Sequence, residues 1–217
     1  AAYRLVAAHF ADAGGAVAPP AMQGSLHPHV AALLQEQRDD YVRRGLVPTL
    51  TVRECVPRLF SATATALTAD ELRNPEQIQD AQLLFVEGKP RAFETSIRRA
   101  YRALRGAEGA CMCTLVVRVI MRTDEDFELN ASCGDDAPGV GRLVGRGIST
   151  RQLERIGAAS WCAPGEDAWE APSAHIWDFA ATGLDLSKLL WAGEPVRDVE
   201  LPPFQLVNIN GALKLHF

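Results

Sequence analysis

In the first half of the chain, apolar residues recur mostly at the three- and four-residue spacing of amphipathic helices. This spacing predicts helices over residues 3–13, from Pro28 until Gly45, and from Pro90 until Gly106. The segment 68–71 (TADE) has the capping-box pattern that begins a further short helix. Residues 46–53 are rich in β-branched side chains and predict a strand, which Pro48 would place at an edge.

The second half has the shorter period of β-sheet. Residues 114–122 are apolar at nearly every position and predict a central strand. The elements predicted after it are a turn at 123–126, a returning strand at 127–133, a strand at 174–179, a short helix at 184–191 and a hairpin at 204–217. The hairpin prediction depends on Asn210-Gly211, because both positions of its turn need a positive φ.

This order of elements predicts an α+β fold. Its helices would lie mostly in the N-terminal half and pack on an antiparallel sheet formed mainly by the C-terminal half, ending in the β-hairpin. No internal repeat or interdomain linker is evident, so residues 1–217 are predicted to form a single domain. Because the chain begins with Ala1 and not with Met, we expect it to be excised from a longer protein.

Composition and charge exclude several classes of protein. A hydrophobic content of 47% with a net charge of −5 is typical of a chain that buries a core, so general disorder is excluded. No run of about 18 uncharged apolar residues is present, so no interaction with a membrane is expected. The five cysteines are odd in number and widely spread, which favours an intracellular location, cytoplasmic or nuclear, over a secreted disulfide framework.

The sequence offers no specific metal or cofactor motif. Cys111 and Cys113 would share one face of a strand. Zinc sites usually contain a second pair of ligands close in sequence, and only His27 and His29 are spaced in this way. The glycine-rich segment 139–147 lacks both the Lys-Ser/Thr ending of a P-loop and the Rossmann spacing. We therefore predict buried thiols, no metal and no cofactor. A hydrolase or transferase using Cys162 and His175 is retained as an alternative, since a catalytic pair assembled in space leaves no local motif.

Arginine residues form a stripe along the helix that follows Pro90. Arg98, Arg102 and Arg105 lie on its polar side, where they could pair with an acidic partner. Nineteen of the 22 basic residues are arginine, so an ordinary solvated helix face is the competing interpretation. A nucleic-acid-contacting domain is a further alternative, although a pI near 5.6 and the lack of interleaved aromatic residues speak against it.

All four tryptophans lie between residues 161 and 191. Trp161, Trp177 and Trp191 are predicted to build the core of the C-terminal half. Trp169 is different, because it lies in a polar, turn-rich segment beside Asp167 and Glu170. An aromatic side chain bordered by acidic residues is typical of a binding hot spot.

These features favour a non-catalytic protein-interaction or assembly module of a larger intracellular scaffold protein. Its partner would be another protein, or a second copy of the same chain. The predicted contact residues are Trp169, Asp167, Glu170, Arg98, Arg102 and Arg105. No motif in the chain identifies a family.

Overall fold

The computed structural model describes residues 24–43, 46–73, 81–88, 93–106, 111–131, 173–191 and 201–209. The strands in these ranges are β1 (Leu46–Thr65), β2 (Gln82–Val86), β3 (Met112–Ala131), β4 (Ser173–Asp185) and β5 (Gln205–Ile209). The helices are α1 (Pro28–Arg43), α2 (Phe93–Leu104) and α3 (Leu186–Trp191), with a 3-10 turn at Glu71–Arg73.

The five strands form one antiparallel sheet in the order β2-β1-β3-β4-β5. Strands make up about half of the described residues and helices about a third. The predicted architecture, with helices in the N-terminal half packed on a sheet from the C-terminal half, is therefore wrong. The N-terminal half itself supplies β1 and β2, and in its described part only α1 and α2 are α-helical, while the helix predicted over residues 3–13 lies outside the described residues.

The length of β1 explains much of this error. The strand covers twenty residues and passes both Pro48 and Pro57, although each proline removes a backbone donor. The β1–β2 register pairs Ser61 with Val86 and Ala64 with Gln82, so both prolines precede the segment that β2 matches. The backbone N–H groups that Pro48 and Pro57 lack therefore remove no hydrogen bond between β1 and β2, and β1 continues past both prolines.

Strand β3 is also longer than its sequence predicts. Its central place in the sheet was predicted correctly. The predicted turn at 123–126 is wrong, because β3 continues through these polar residues to Ala131. The carboxylate of Asp124 accepts a hydrogen bond from Nε of Arg53 on the neighbouring β1, at 3.0 Å. A polar run that suggests a turn is therefore accommodated by a partner on the next strand.

Local helix signals were better predictors. Helix α1 begins at Pro28 and ends at Arg43, close to the expected boundaries, and buries Val30 and Leu34. The predicted capping box is present: the backbone N–H of Thr68 donates to the Glu71 carboxylate, and the N–H of Glu71 donates to Oγ1 of Thr68. The backbone N–H and the hydroxyl of Thr68 both donate to the Glu71 carboxylate, and these two hydrogen bonds hold the pKa of Glu71 below its ordinary value of 4.5.

The contacts of the chain define two compact units. One contains Ala1–Gly24, Pro28–Pro57 and Met121–Ile176, and the other contains Ser25–His27, Arg58–Ile120 and Trp177–Phe217. The prediction of a single domain stays a prediction. In the second unit, α2 and α3 pack over a core cluster whose buried members are Ala64, Leu84, Ile97, Ala100, Cys111, Cys113, Leu115, Leu184 and Leu186.

Strand β5 ends the described part of the sheet. It pairs antiparallel with β4, and its Leu206 exchanges backbone hydrogen bonds with Ser25 and His27. This confirms a strand in the first arm of the predicted hairpin. The second arm and its Asn210-Gly211 turn lie outside the described residues.

Candidate functional site

Helix α2 is held in the second unit by one apolar face. Ile97 and Ala100 are buried, and Tyr101 and Leu104 pack against the same core cluster, as their helical spacing predicts. The helix packs directly against both β2 and α3. Its remaining surface is therefore presented on an element whose position is set by a packed core.

The three predicted arginines, two in α2 and one directly after it, are exposed. Arg98 and Arg102 lie one helical turn apart, and Arg105 follows directly after the helix, so the three share one flank. We call Arg98, Arg102 and Arg105 the arginine flank. Within the described ranges, no carboxylate lies within ion-pair distance of Arg102 or Arg105. Both side chains are exposed to solvent, where an external anion can approach them.

A second arginine of the same unit has the opposite environment. Arg118 of β3 is 4% exposed and donates from Nε and Nη2 to the two carboxylate oxygens of Asp178, at 2.7 and 2.9 Å. Asp178 of β4 is fully buried and also accepts a hydrogen bond from Nδ2 of Asn208 at 2.8 Å. We call Arg118, Asp178 and Asn208 the buried triad. It joins the three strands β3, β4 and β5.

A β-bulge positions the third member of the triad. Asp178 pairs with Asn208 and Phe179 pairs with Leu206, so the β4–β5 register skips Val207. Bulges redirect side chains, and this one accompanies the approach of the Asn208 amide to the Asp178 carboxylate. Because the bidentate ion pair and the amide donor both engage this carboxylate, the arrangement stabilises the strand register.

Sequence reasoning missed the buried triad. Its members are separated by 60 residues between Arg118 and Asp178, and by 30 between Asp178 and Asn208. A signal was present nevertheless, because each is a polar residue within an apolar stretch of strand: TLVVRVIM, HIWDFA and QLVNI. A buried charge needs a partner, so these isolated polar residues could have been matched to one another.

The cysteine pair has the environment that the sequence predicted. Cys111 and Cys113 are buried free thiols. Burial is the main reason that the pKa of Cys113 is raised to about 12, and burial also raises the pKa of Cys111. Both shifts favour the protonated thiol at neutral pH, which disfavours a nucleophile at this position. In the part of the chain that the structure describes, no group of three metal-ligating side chains is found.

Several predicted site residues lie outside the described residues. These are Trp169, Asp167, Glu170 and Cys162, and their roles stay predictions. Of the tryptophans predicted to be in the core, Trp177 is confirmed as buried, whereas Trp161 is not described and the side chain of Trp191 is not described either. His175 is half-buried on β4.

Comparison with protein-family models, with functionally characterised proteins and with solved structures finds no significant similarity to this chain. Among the described helices, none has the length and apolar character needed to cross a membrane. The function is therefore inferred from the geometry of the arginine flank and the buried triad.

Proposed function

We propose that this protein is a non-catalytic protein-interaction module that binds an acidic surface of another protein through its arginine flank. The observation that supports this most directly is the contrast in charge compensation. Arg118 is fully paired inside the sheet, whereas Arg102 and Arg105 have no carboxylate within reach in the described ranges. Exposed charge that the fold does not neutralise attracts a partner of opposite sign.

The support of α2 strengthens this proposal. Ile97 and Ala100 fix the helix to the core cluster, so the flanking arginines start from a defined backbone geometry. A preorganised surface loses less conformational entropy on binding than a mobile one. Arginine also pairs with carboxylates in a bidentate manner, which gives an acidic protein surface geometric as well as electrostatic complementarity.

The proposal includes an intracellular location, because five cysteines, an odd number, do not suit a secreted disulfide framework. It also includes a role in a scaffold or assembly. The segment containing Trp169, Asp167 and Glu170 is a second proposed contact, for another protein or for a second copy of this chain.

A matched pair of charge reversals tests the arginine flank. Arg99 lies on the same helix, is also exposed, and points about 120° away from Arg105 around the helix axis. Arg105→Glu and Arg99→Glu therefore make the same change in net charge on different sides of the helix. Proteins captured from a cell lysate with the full chain as bait would be identified, purified and titrated against both variants.

We expect Arg105→Glu to weaken binding of the true partner about tenfold, equivalent to about 1.4 kcal/mol, and Arg99→Glu to weaken it much less. The affinity should also fall as ionic strength rises, because exposed charges are screened. Equal effects of the two reversals on every captured protein would contradict the proposal.

A further inference from the structure

An exposed phenylalanine lies on the same side of the sheet as α2. In the β1–β2 register, Phe85 pairs with Ala62, and directly paired residues of neighbouring strands share a face. Ala62 packs against the core cluster that contains Ile97 and Ala100 of α2. Phe85 is therefore on the helix-bearing face of the sheet, on the strand against which α2 packs.

A bulge in β2 separates Phe85 from the core. The register skips Leu84, which lies between Phe85 and Leu83 in sequence. Leu84 is 3% exposed and belongs to the core cluster, whereas Phe85 is 37% exposed. Two consecutive apolar residues thus serve different purposes: Leu84 packs under α2, and the ring of Phe85 remains accessible to solvent.

The arginine flank lies on the side of α2 opposite to Ser96 and Ala100. At about 100° per residue, Ser96 and Ala100 lie on one side of the apolar face, and Arg98 and Arg102 lie on the other. Ser96 and Ala100 are buried, and the two arginines are exposed. Phe85 and the arginine flank are accordingly exposed groups on two elements in direct contact.

We infer that the partner segment carries an apolar side chain, the anchor, between its carboxylates; this inference rests on the proposed function. The anchor packs on Phe85 while the carboxylates pair with the arginine flank. Aromatic residues and arginine are the side chains most enriched at energetic centres of protein interfaces. A single-stranded nucleic acid would need several stacking rings. Phe85 is the one aromatic among the large apolar side chains exposed in the described ranges, so a protein segment fits better.

The test uses the full chain and two fluorescein-labelled acidic peptides of Asp and Glu, identical except for a central Trp or Ala. Fluorescence anisotropy would give the affinity of each peptide for the wild type, for Phe85→Ala and for Leu59→Ala. Leu59 is a suitable control because it is an exposed apolar residue, 46% accessible, on the adjacent strand. Phe85→Thr is a second variant that retains strand propensity.

We expect the Trp peptide to bind the wild type about tenfold more tightly than the Ala peptide. Phe85→Ala and Phe85→Thr should remove this difference, and Leu59→Ala should retain it. If both peptides bind equally, and this binding is lost when Arg98, Arg102 and Arg105 are all replaced by alanine, the inference of an apolar anchor is wrong but the proposed function stands. Absence of binding by both peptides would overturn both, and tighter binding of an oligothymidylate would replace the protein segment with a nucleic acid.

Discussion

The buried triad and the arginine flank place the same guanidinium group in two opposite settings. Arg118 has lost its water and is compensated by a bidentate carboxylate, so its charge contributes to the internal organisation of the sheet. Arg102 and Arg105 are exposed to solvent, and no carboxylate of the described residues lies within ion-pair distance of either. Charge compensation, and not the residue type, separates the arginine that maintains this fold from the exposed Arg102 and Arg105.

The largest expected effect follows from breaking the triad at its centre. Asp178→Ala leaves the guanidinium of Arg118 buried without its carboxylate, and we expect it to lower the free energy of unfolding by about 3–5 kcal/mol. Chemical denaturation followed by circular dichroism measures this change. The double variant Arg118→Met, Asp178→Leu should recover most of the loss, because it removes both charges together. A loss below about 1 kcal/mol for Asp178→Ala would show that the ion pair does not stabilise the sheet.

A smaller loss is expected at the edge of the same network. Asn208→Ala removes one hydrogen bond to the Asp178 carboxylate but leaves the ion pair with Arg118 intact. Hydrogen bonds to charged groups contribute about 1.5–3 kcal/mol, so unfolding should become easier by about 2 kcal/mol. Combining this change with Asp178→Ala should give less than the sum of the two losses, since both act on one network. Strict additivity would argue that Asn208 acts independently of the triad.

An intermediate case is the partly exposed carboxylate that precedes α3. Asp185 accepts hydrogen bonds from the backbone N–H and the hydroxyl of Ser187, at 2.9 and 2.6 Å, and these hold its pKa below the ordinary value of 3.8. Asp185→Ala removes this helix cap and should cost about 1 kcal/mol at neutral pH.

The depressed pKa of Asp185 also fixes the direction of the pH dependence. Because the folded pKa lies below 3.8, this stabilisation is complete above the unfolded pKa and is lost as the pH falls through the folded pKa. The difference in unfolding free energy between Asp185→Ala and wild type should therefore shrink on acidification below pH 3.8. Asp185→Asn, which keeps a capping oxygen, serves as the control. A difference that stays constant with pH would exclude the carboxylate as the cause.

The smallest effect on stability is expected at the arginine flank. Replacing Arg98, Arg102 or Arg105 singly by alanine should change the free energy of unfolding by less than about 0.5 kcal/mol, because all three side chains are exposed. Thermal and chemical denaturation would check each variant. Losses comparable to that of Asp178→Ala would remove the distinction between the two kinds of arginine.

The helices show how much the sequence could predict. The bounds of α1 and the apolar face of α2 were foreseen because helix spacing and capping are local, and Thr68 and Glu71 stand only three residues apart. The same spacing placed Arg98, Arg102 and Arg105 on one flank. It could not show whether these charges are neutralised, since that depends on residues distant in sequence.

The strands show where prediction from the sequence stops. The extension of β3 through residues 123–131 is accompanied by the contact of Asp124 with Arg53, 71 residues earlier in the chain. The buried triad likewise joins three separate strands, and its third contact accompanies a bulge at Val207. Pairings of this kind depend on sheet register, which the local alternation of polar and apolar residues does not specify.

The central claim is that the arginine flank is the binding surface of this protein. Two-dimensional NMR of the 15N-labelled full chain, titrated with the Trp-containing acidic peptide, tests it most directly. We predict that the largest amide shift changes fall on α2 and the residues directly after it, extend to β2 around Phe85, and vanish in the Arg98→Ala, Arg102→Ala, Arg105→Ala variant. Shift changes centred elsewhere, or unchanged in that variant, would contradict the account.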